Sequence, residues 1–140
     1  MNLLIVCTGN TCRSPMAEAL MRRRIQERAL NDWQVLSAGI SADGSPAAQH
    51  AVEVMAELGL DLTRHRSRSL TPALCQAADR IAVMTQDQAV LLGMLFDVPP
   101  EKVTVLGDGI PDPYGGSLET YRRTRDALDR ALEALLPEPA

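Results

Sequence analysis

The apolar run Leu3-Leu4-Ile5-Val6 passes without a polar spacer into Cys7-Thr8-Gly9-Asn10-Thr11-Cys12-Arg13-Ser14-Pro15. A continuous apolar run of this length suits a strand covered on both faces, as in a parallel sheet. A helix is expected to begin near Ser14, with Pro15 at its first position, where a missing N–H costs nothing. A buried strand turning directly into a helix is the opening unit of an α/β fold.

The same alternation continues along the chain. Met16, Leu20, Met21 and Ile25 form the inward stripe of the first helix, and Trp33 to Ser37 reads as a second strand. A helix over about 46–58 follows, with Ala48, Ala51, Val52, Met55 and Leu58 on one face and Gly59 as its stop. Thr71-Pro72 opens a short helix, Arg80 to Met84 is a third strand, and Gln86 to Leu95 a further helix. Lys102 to Leu106 is a fourth strand. Ser117 then caps a long helix with Leu118, Tyr121, Leu128, Leu132 and Leu135 inward. The tail Pro137 to Ala140 is expected to fray. The pattern predicts a single doubly wound α/β domain over 1–140: a parallel sheet with helices on both faces. Its carboxyl edge would gather Cys7, after the first strand, and Asp112, in the loop after the fourth.

Composition narrows the function classes. Of 140 residues, 46% are hydrophobic, enough for one core, and the net charge of −4 argues against a general nucleic-acid binder. No apolar run approaches the roughly 18–20 residues that span a bilayer, and the start lacks a basic leader, so no membrane association and a cytoplasmic location are expected. The three cysteines form no C-x-x-C pair and have no histidine cluster beside them. This argues against a disulfide framework, a metal site or a thioredoxin-like centre.

The string Cys7 to Ser14 has the form C-x5-R-S between a strand and a helix start. Gly9 and Asn10 tolerate left-handed backbone, which lets successive N–H groups turn inward as an anion nest. The N–H groups of the next helix add to the nest, and the Arg13 guanidinium can clamp two oxygens of a phosphate. Thiols beside helix N-termini and cations ionise readily, so Cys7 is the candidate nucleophile, with the Ser14 hydroxyl as a donor to its sulfur. Thr8, Gly9, Asn10, Thr11, Cys12, Arg13 and Ser14 are thus the candidate phosphate-binding residues. A Walker-type loop is absent. Thiolate attack on phosphorus also needs a proton for the leaving group. Asp112, stiffened by Pro111 and Pro113, is the candidate acid, and Tyr114 stands beside it. Without the cysteine loop, the Asp-Pro and Gly-Gly steps here would read as an ordinary surface turn.

Cys7 to Pro15 together with Asp112-Pro113-Tyr114 resembles the low-molecular-weight protein tyrosine phosphatase family. The resemblance extends over the chain through Ser37-Ala38-Gly39 and His65-x-x-Arg68. It implies a four-stranded parallel sheet, a phosphocysteine mechanism acting on phosphorylated proteins, no metal or cofactor, and a monomer. It also implies a polar network of Asn10, Ser37 and His65 bracing the loop. On their own, Ser37 and His65 read as ordinary loop residues.

Within that family the sequence looks closest to the bacterial protein-arginine phosphatases. Thr11 stands where tyrosine-specific members generally carry a larger aliphatic residue, and Gly115 where they often carry a second aromatic. Aromatic walls grip a flat phosphotyrosine ring, yet the chain has only Trp33, Phe96, Tyr114 and Tyr121, and none between Ile40 and His50. Phosphoarginine is the preferred substrate on this reading and phosphotyrosine the alternative. Arsenate reduction is disfavoured, because only Cys75 lies outside the loop, and a non-catalytic phospho-residue binder is disfavoured by the intact Cys7, Arg13 and Asp112 set. Cys12 reads equally as a partner that traps oxidised Cys7 in a disulfide and as a small filler of the loop floor. Cys75 reads as a core residue.

Overall fold

A computed structural model describes residues 1–138. Its elements are β1 (Asn2–Cys7), α1 (Arg13–Glu27), β2 (Gln34–Gly39), α2 (Gln49–Ala56), α3 (Pro72–Ala77), β3 (Arg80–Val83), α4 (Gln86–Phe96), β4 (Val103–Val105) and α5 (Leu118–Leu132). The four strands pair in parallel in the order β2-β1-β3-β4. β1 is therefore interior, which is why its apolar run is unbroken. Leu3, Ile5 and Cys7 belong to the core under α1, α2 and α5, whereas Leu4 and Val6 belong to the core under α3 and α4. The chain leaves β1 on one side to form β2 and crosses to the other to form β3. The crevice beyond the carboxyl ends of β1 and β3 is thus the switch point where ligands sit in such sheets.

Local chemistry sets the helix boundaries. The hydroxyls of Thr71, Thr85 and Ser117 accept the N–H groups of Leu74, Gln88 and Thr120, each cap worth about 1 kcal/mol. Gly59 takes a φ of 75°, the left-handed turn a chain uses to leave a helix.

Several boundaries differ from the sequence reading. Pro15 is the third residue of α1, not the first; first-turn N–H groups have no intrahelical acceptor, so the ring is tolerated there equally. α2 starts at Gln49 rather than near Pro46. The Ala48 N–H donates to the Thr11 carbonyl and Pro46 bridges to Arg66, so this segment is extended and holds the loop. β4 begins at Val103 because Pro100–Lys102 forms a 3-10 turn. Of the expected frayed tail, Pro137 is tied through its carbonyl to Arg28, and residues 139–140 lie outside the described residues. No helix among the described residues is long and apolar enough to cross a membrane.

Candidate active site

Cys7 closes β1 and is buried, and the five-residue turn after it, Thr8 to Cys12, leads straight into α1. The loop's carbonyls are committed outward: those of Cys7 and Thr8 accept the N–H groups of Ile40 (3.1 Å) and Ser41 (2.8 Å). The Thr11 carbonyl accepts Ala48 N–H at 2.9 Å, and the Asn10 carbonyl lies 2.7 Å from His65 Nε2. A loop tied this way presents N–H groups on its concave side, and the Asn10 N–H donates to Cys7 Sγ at 3.2 Å. Asn10 alone in the loop takes the left-handed conformation, with a φ of 56°; Gly9, also expected there, does not. Gly39 is needed for a different reason. A Cβ on it would lie 2.8 Å from the Thr8 carbonyl and 3.0 Å from the Asn10 backbone N, so only glycine lets β2 press against the loop.

The buried polar network behind the loop has a defined direction. Asn10 Oδ1 accepts the Arg68 N–H at 2.9 Å, which fixes the amide so that Nδ2 donates to Ser14 Oγ (2.7 Å) and Ser37 Oγ (3.0 Å). Ser37 Oγ in turn donates to the carboxylate of Glu18, which can only accept. Ser14 Oγ, which receives Asn10, also lies 3.0 Å from Cys7 Sγ, within hydrogen-bond distance of the sulfur. Asn10, Ser14 and Ser37 are all buried, and every buried polar side-chain atom among the described residues has a partner.

Cys7, Thr8, Gly9, Thr11, Cys12, Arg13, Asp112 and Tyr114 line one cavity of about 210 Å³. Asn10, Ser14, Ser37 and His65 are not among its walls and lie behind the loop. Arg13 is 4% exposed; one of its nitrogens donates to the Ile110 carbonyl at 2.8 Å, and another is 3.8 Å from Asp112 Oδ2. Asp112 has a 54% exposed side chain, and its Oδ1 accepts the Tyr114 N–H at 3.0 Å. Tyr114 is 76% exposed at the mouth. The turn behind them is tight: Gly116 N–H donates to the Pro113 carbonyl, and a Cβ on Gly116 would lie 2.9 Å from that carbonyl.

Cys12 Sγ lies 3.4 Å from the hydroxyl of buried Tyr121, whose ring stands edge-on to His50. Burial pushes the Cys12 thiol above its ordinary range, outweighing the hydrogen bonds from Tyr121 and Thr11 that lower it. Burial, with the contact to Cys12, likewise pushes the Tyr121 phenol up. Cys75 is a free, buried thiol in α3, also pushed up by burial.

Two residues went unread in the sequence. Gln88 is buried at the start of α4, where its Nε2 donates to Thr8 Oγ1 at 3.1 Å and its Oε1 accepts the Met84 N–H at 2.8 Å. Glu18 terminates the Ser37 chain. Both look like routine polar positions on helices, and only the packing of α4 and α1 against the loop gives them partners.

The chain matches the low molecular weight phosphotyrosine protein phosphatase family over residues 2–139. It is 38% identical to a protein-arginine-phosphatase of Bacillus subtilis, spanning 96% of this chain and 94% of that protein. It is 39% identical to a probable low molecular weight protein-tyrosine-phosphatase, EpsP, of Ralstonia nicotianae, over 96% and 93%. The fold superposes with a TM-score of 0.91 on the YwlE arginine phosphatase, a C7S mutant with a phosphorylated active-site serine, at 38% identity over 96% of this chain and 93% of that one. The loop geometry and the full-length match lead to one conclusion: the chain belongs to the low molecular weight phosphotyrosine protein phosphatase family.

Proposed function

We propose that this protein hydrolyses phosphoarginine in proteins through a phosphocysteine intermediate. The observation that carries the substrate choice is the wall of the cavity, where Tyr114 is the one aromatic and Thr11 supplies a hydroxyl. A phosphotyrosine ring gains from flanking aromatic surface, whereas a slimmer, polar guanidinium gains from hydrogen-bonding groups. The 38% identity to a named protein-arginine-phosphatase supports the same choice.

Cys7 Sγ attacks phosphorus while the bond from phosphorus to the leaving nitrogen breaks. Asp112 passes its proton to that nitrogen, and the phosphoryl group rests on sulfur. The loop N–H groups and the Arg13 guanidinium hold the equatorial oxygens, where charge gathers in the transition state. Asp112, now a carboxylate, takes a proton from the incoming water, whose oxygen attacks phosphorus. The S–P bond breaks, and inorganic phosphate leaves with the thiolate restored. The relative with a phosphorylated active-site serine in its C7S mutant supports covalent transfer at this position. The Asn10–Ser14–Ser37 chain and His65 brace the loop and keep Ser14 Oγ beside the sulfur.

The second reading, phosphotyrosine, is favoured by the 39% identity to EpsP and by exposed Tyr114, which can stack on a ring. Measuring kcat/KM on matched phosphoarginine and phosphotyrosine peptides decides between them. A higher value for phosphoarginine is expected, and a higher value for phosphotyrosine reverses the assignment. No turnover of either peptide, with inorganic phosphate still bound, overturns the phosphatase reading itself.

A further inference from the structure

A second cavity, of about 340 Å³, lies between α1, β2 and the segment over 61–68. It shares no lining residue with the cavity at Cys7. Four arginines, Arg22, Arg64, Arg66 and Arg68, converge on it, with Glu18 and Asp61 as its carboxylates. Both carboxylates are already engaged. Glu18 pairs with Arg22 at 2.6 Å and accepts Ser37, and Asp61 accepts the backbone N–H and hydroxyl of Thr63. Arg64, Arg66 and Arg68 are exposed and form no ion pair among the described residues; Arg66 donates only to the His65 carbonyl. Like charges gathered in a concave wall of a chain of net charge −4 repel one another unless an anion joins them.

The wall of this cavity is also the back of the phosphate loop. Ser37 and His65 line it, and both bind Asn10; the Arg68 N–H binds the Asn10 side chain. We propose that this cavity binds a small polyanion carrying two or more linked phosphate groups. Its occupancy acts on Cys7 through Arg22, Glu18, Ser37, Asn10 and Ser14. Guanidinium forks match phosphate oxygens in pairs, and the three unpaired arginines carry more positive charge than the roughly −2 of one phosphate offsets. A volume near 340 Å³ falls in the range of small-molecule pockets and is too small for a folded partner. An anion drawing Arg22 away from Glu18 changes the acceptor that orients Ser37, and the change passes along the directed hydrogen bonds to the sulfur.

The test is calorimetric titration of tripolyphosphate into the full-length protein with the Cys7 cup saturated by orthovanadate. One equivalent is expected to bind, with affinity reduced at least tenfold in the Arg64→Ser/Arg66→Ser double variant. The Arg64→Lys/Arg66→Lys variant, which keeps the charge and loses the forks, is expected to fall between the two. Absence of binding, or equal affinity in wild type and both variants, overturns the site. Equal affinity for inorganic phosphate overturns the requirement for linked phosphates. A hexaglutamate peptide binding as tightly reassigns the face to an acidic protein segment. Retention only on vesicles containing a phosphoinositide bisphosphate reassigns it to a lipid headgroup. Without vanadate, tripolyphosphate is expected to change kcat on an aryl phosphate at least twofold; an effect on KM alone removes the coupling to Cys7. None of these outcomes touches the reaction assigned to Cys7, which is read from turnover without added polyanion.

Discussion

The guanidinium of Arg13 stands 3.8 Å from the carboxylate of Asp112, with another of its nitrogens fixed on the Ile110 carbonyl two residues before that acid. In the proposed mechanism, the residue that clamps phosphate therefore also holds the backbone that carries the proton donor. With Asp112 half exposed, the ion pair itself contributes little to stability; its value lies in position.

Asp112→Asn keeps the side chain's shape and removes the transferable proton. kcat is expected to fall by about 10²–10⁴, with orthovanadate affinity changed no more than about threefold. Steady-state kinetics beside vanadate inhibition separates the two effects. A large loss of vanadate affinity with kcat preserved removes Asp112 from acid catalysis.

Thr11→Ile replaces the cavity hydroxyl with aliphatic bulk. The ratio of kcat/KM for phosphoarginine over phosphotyrosine peptides is expected to drop about tenfold or more, the size of effect expected when a polar partner is lost. An unchanged ratio rules out Thr11 as the discriminating group.

Gly39→Ala places a methyl group 2.8 Å from the Thr8 carbonyl, closer than real Cβ atoms come, with backbone rather than a flexible side chain in the way. Overpacking of this kind costs about 1–3 kcal/mol. Because the strain falls on the loop, phosphate affinity is expected to drop along with the melting temperature. A variant of lower melting temperature with wild-type phosphate affinity shows that the loop relaxes without losing its shape.

Gln88→Leu removes the link between α4 and Thr8 and leaves the buried Met84 N–H unpaired, at roughly 1–3 kcal/mol. KM is expected to rise more than kcat falls, since Thr8 lines the cavity at Cys7. Gln88→Glu, which can still accept the Met84 N–H, is expected to recover stability but not KM. Recovery of both by that variant assigns Gln88 to folding alone.

Glu57 bonds Arg122 and Arg125 and so ties the end of α2 to α5. These guanidiniums lower its carboxyl from an ordinary value of 4.5 to about 2. A depressed carboxyl contributes stability that is complete above its unfolded value and is lost as pH falls through the folded one. The melting-temperature advantage of wild type over Glu57→Gln is therefore expected to be full near neutrality and to shrink between pH 4.5 and about 2. An advantage that stays constant across that window assigns the effect to packing.

The sheet was readable chiefly because its central strand advertises its burial. Leu3 to Val6 has no polar position, and only a strand interior to a two-faced sheet hides both sides. That Cys7, Arg13 and Asp112 share one cavity was readable because a parallel sheet carries the ends of β1 and β4 to the same edge. Less readable were the places where tertiary contact overrides local preference. Residues 46–48 have helical composition but are extended, because Ala48 serves the Thr11 carbonyl. Gly9 and Asn10 both read as left-handed candidates and Asn10 carries that turn alone, its side chain held on three sides. Gln88 and Glu18 carry no signal of their own; their partners lie 80 and 19 residues away.

The cup around Cys7 and the stretch bearing Asp112 and Tyr114 come from opposite ends of the chain and meet only at the edge of the sheet. Neither stretch makes the cavity alone, and the Arg13 bond to the Ile110 carbonyl is the seam between them. A change on one side of that seam is therefore felt on the other, so the two stretches are bound to vary as a matched pair.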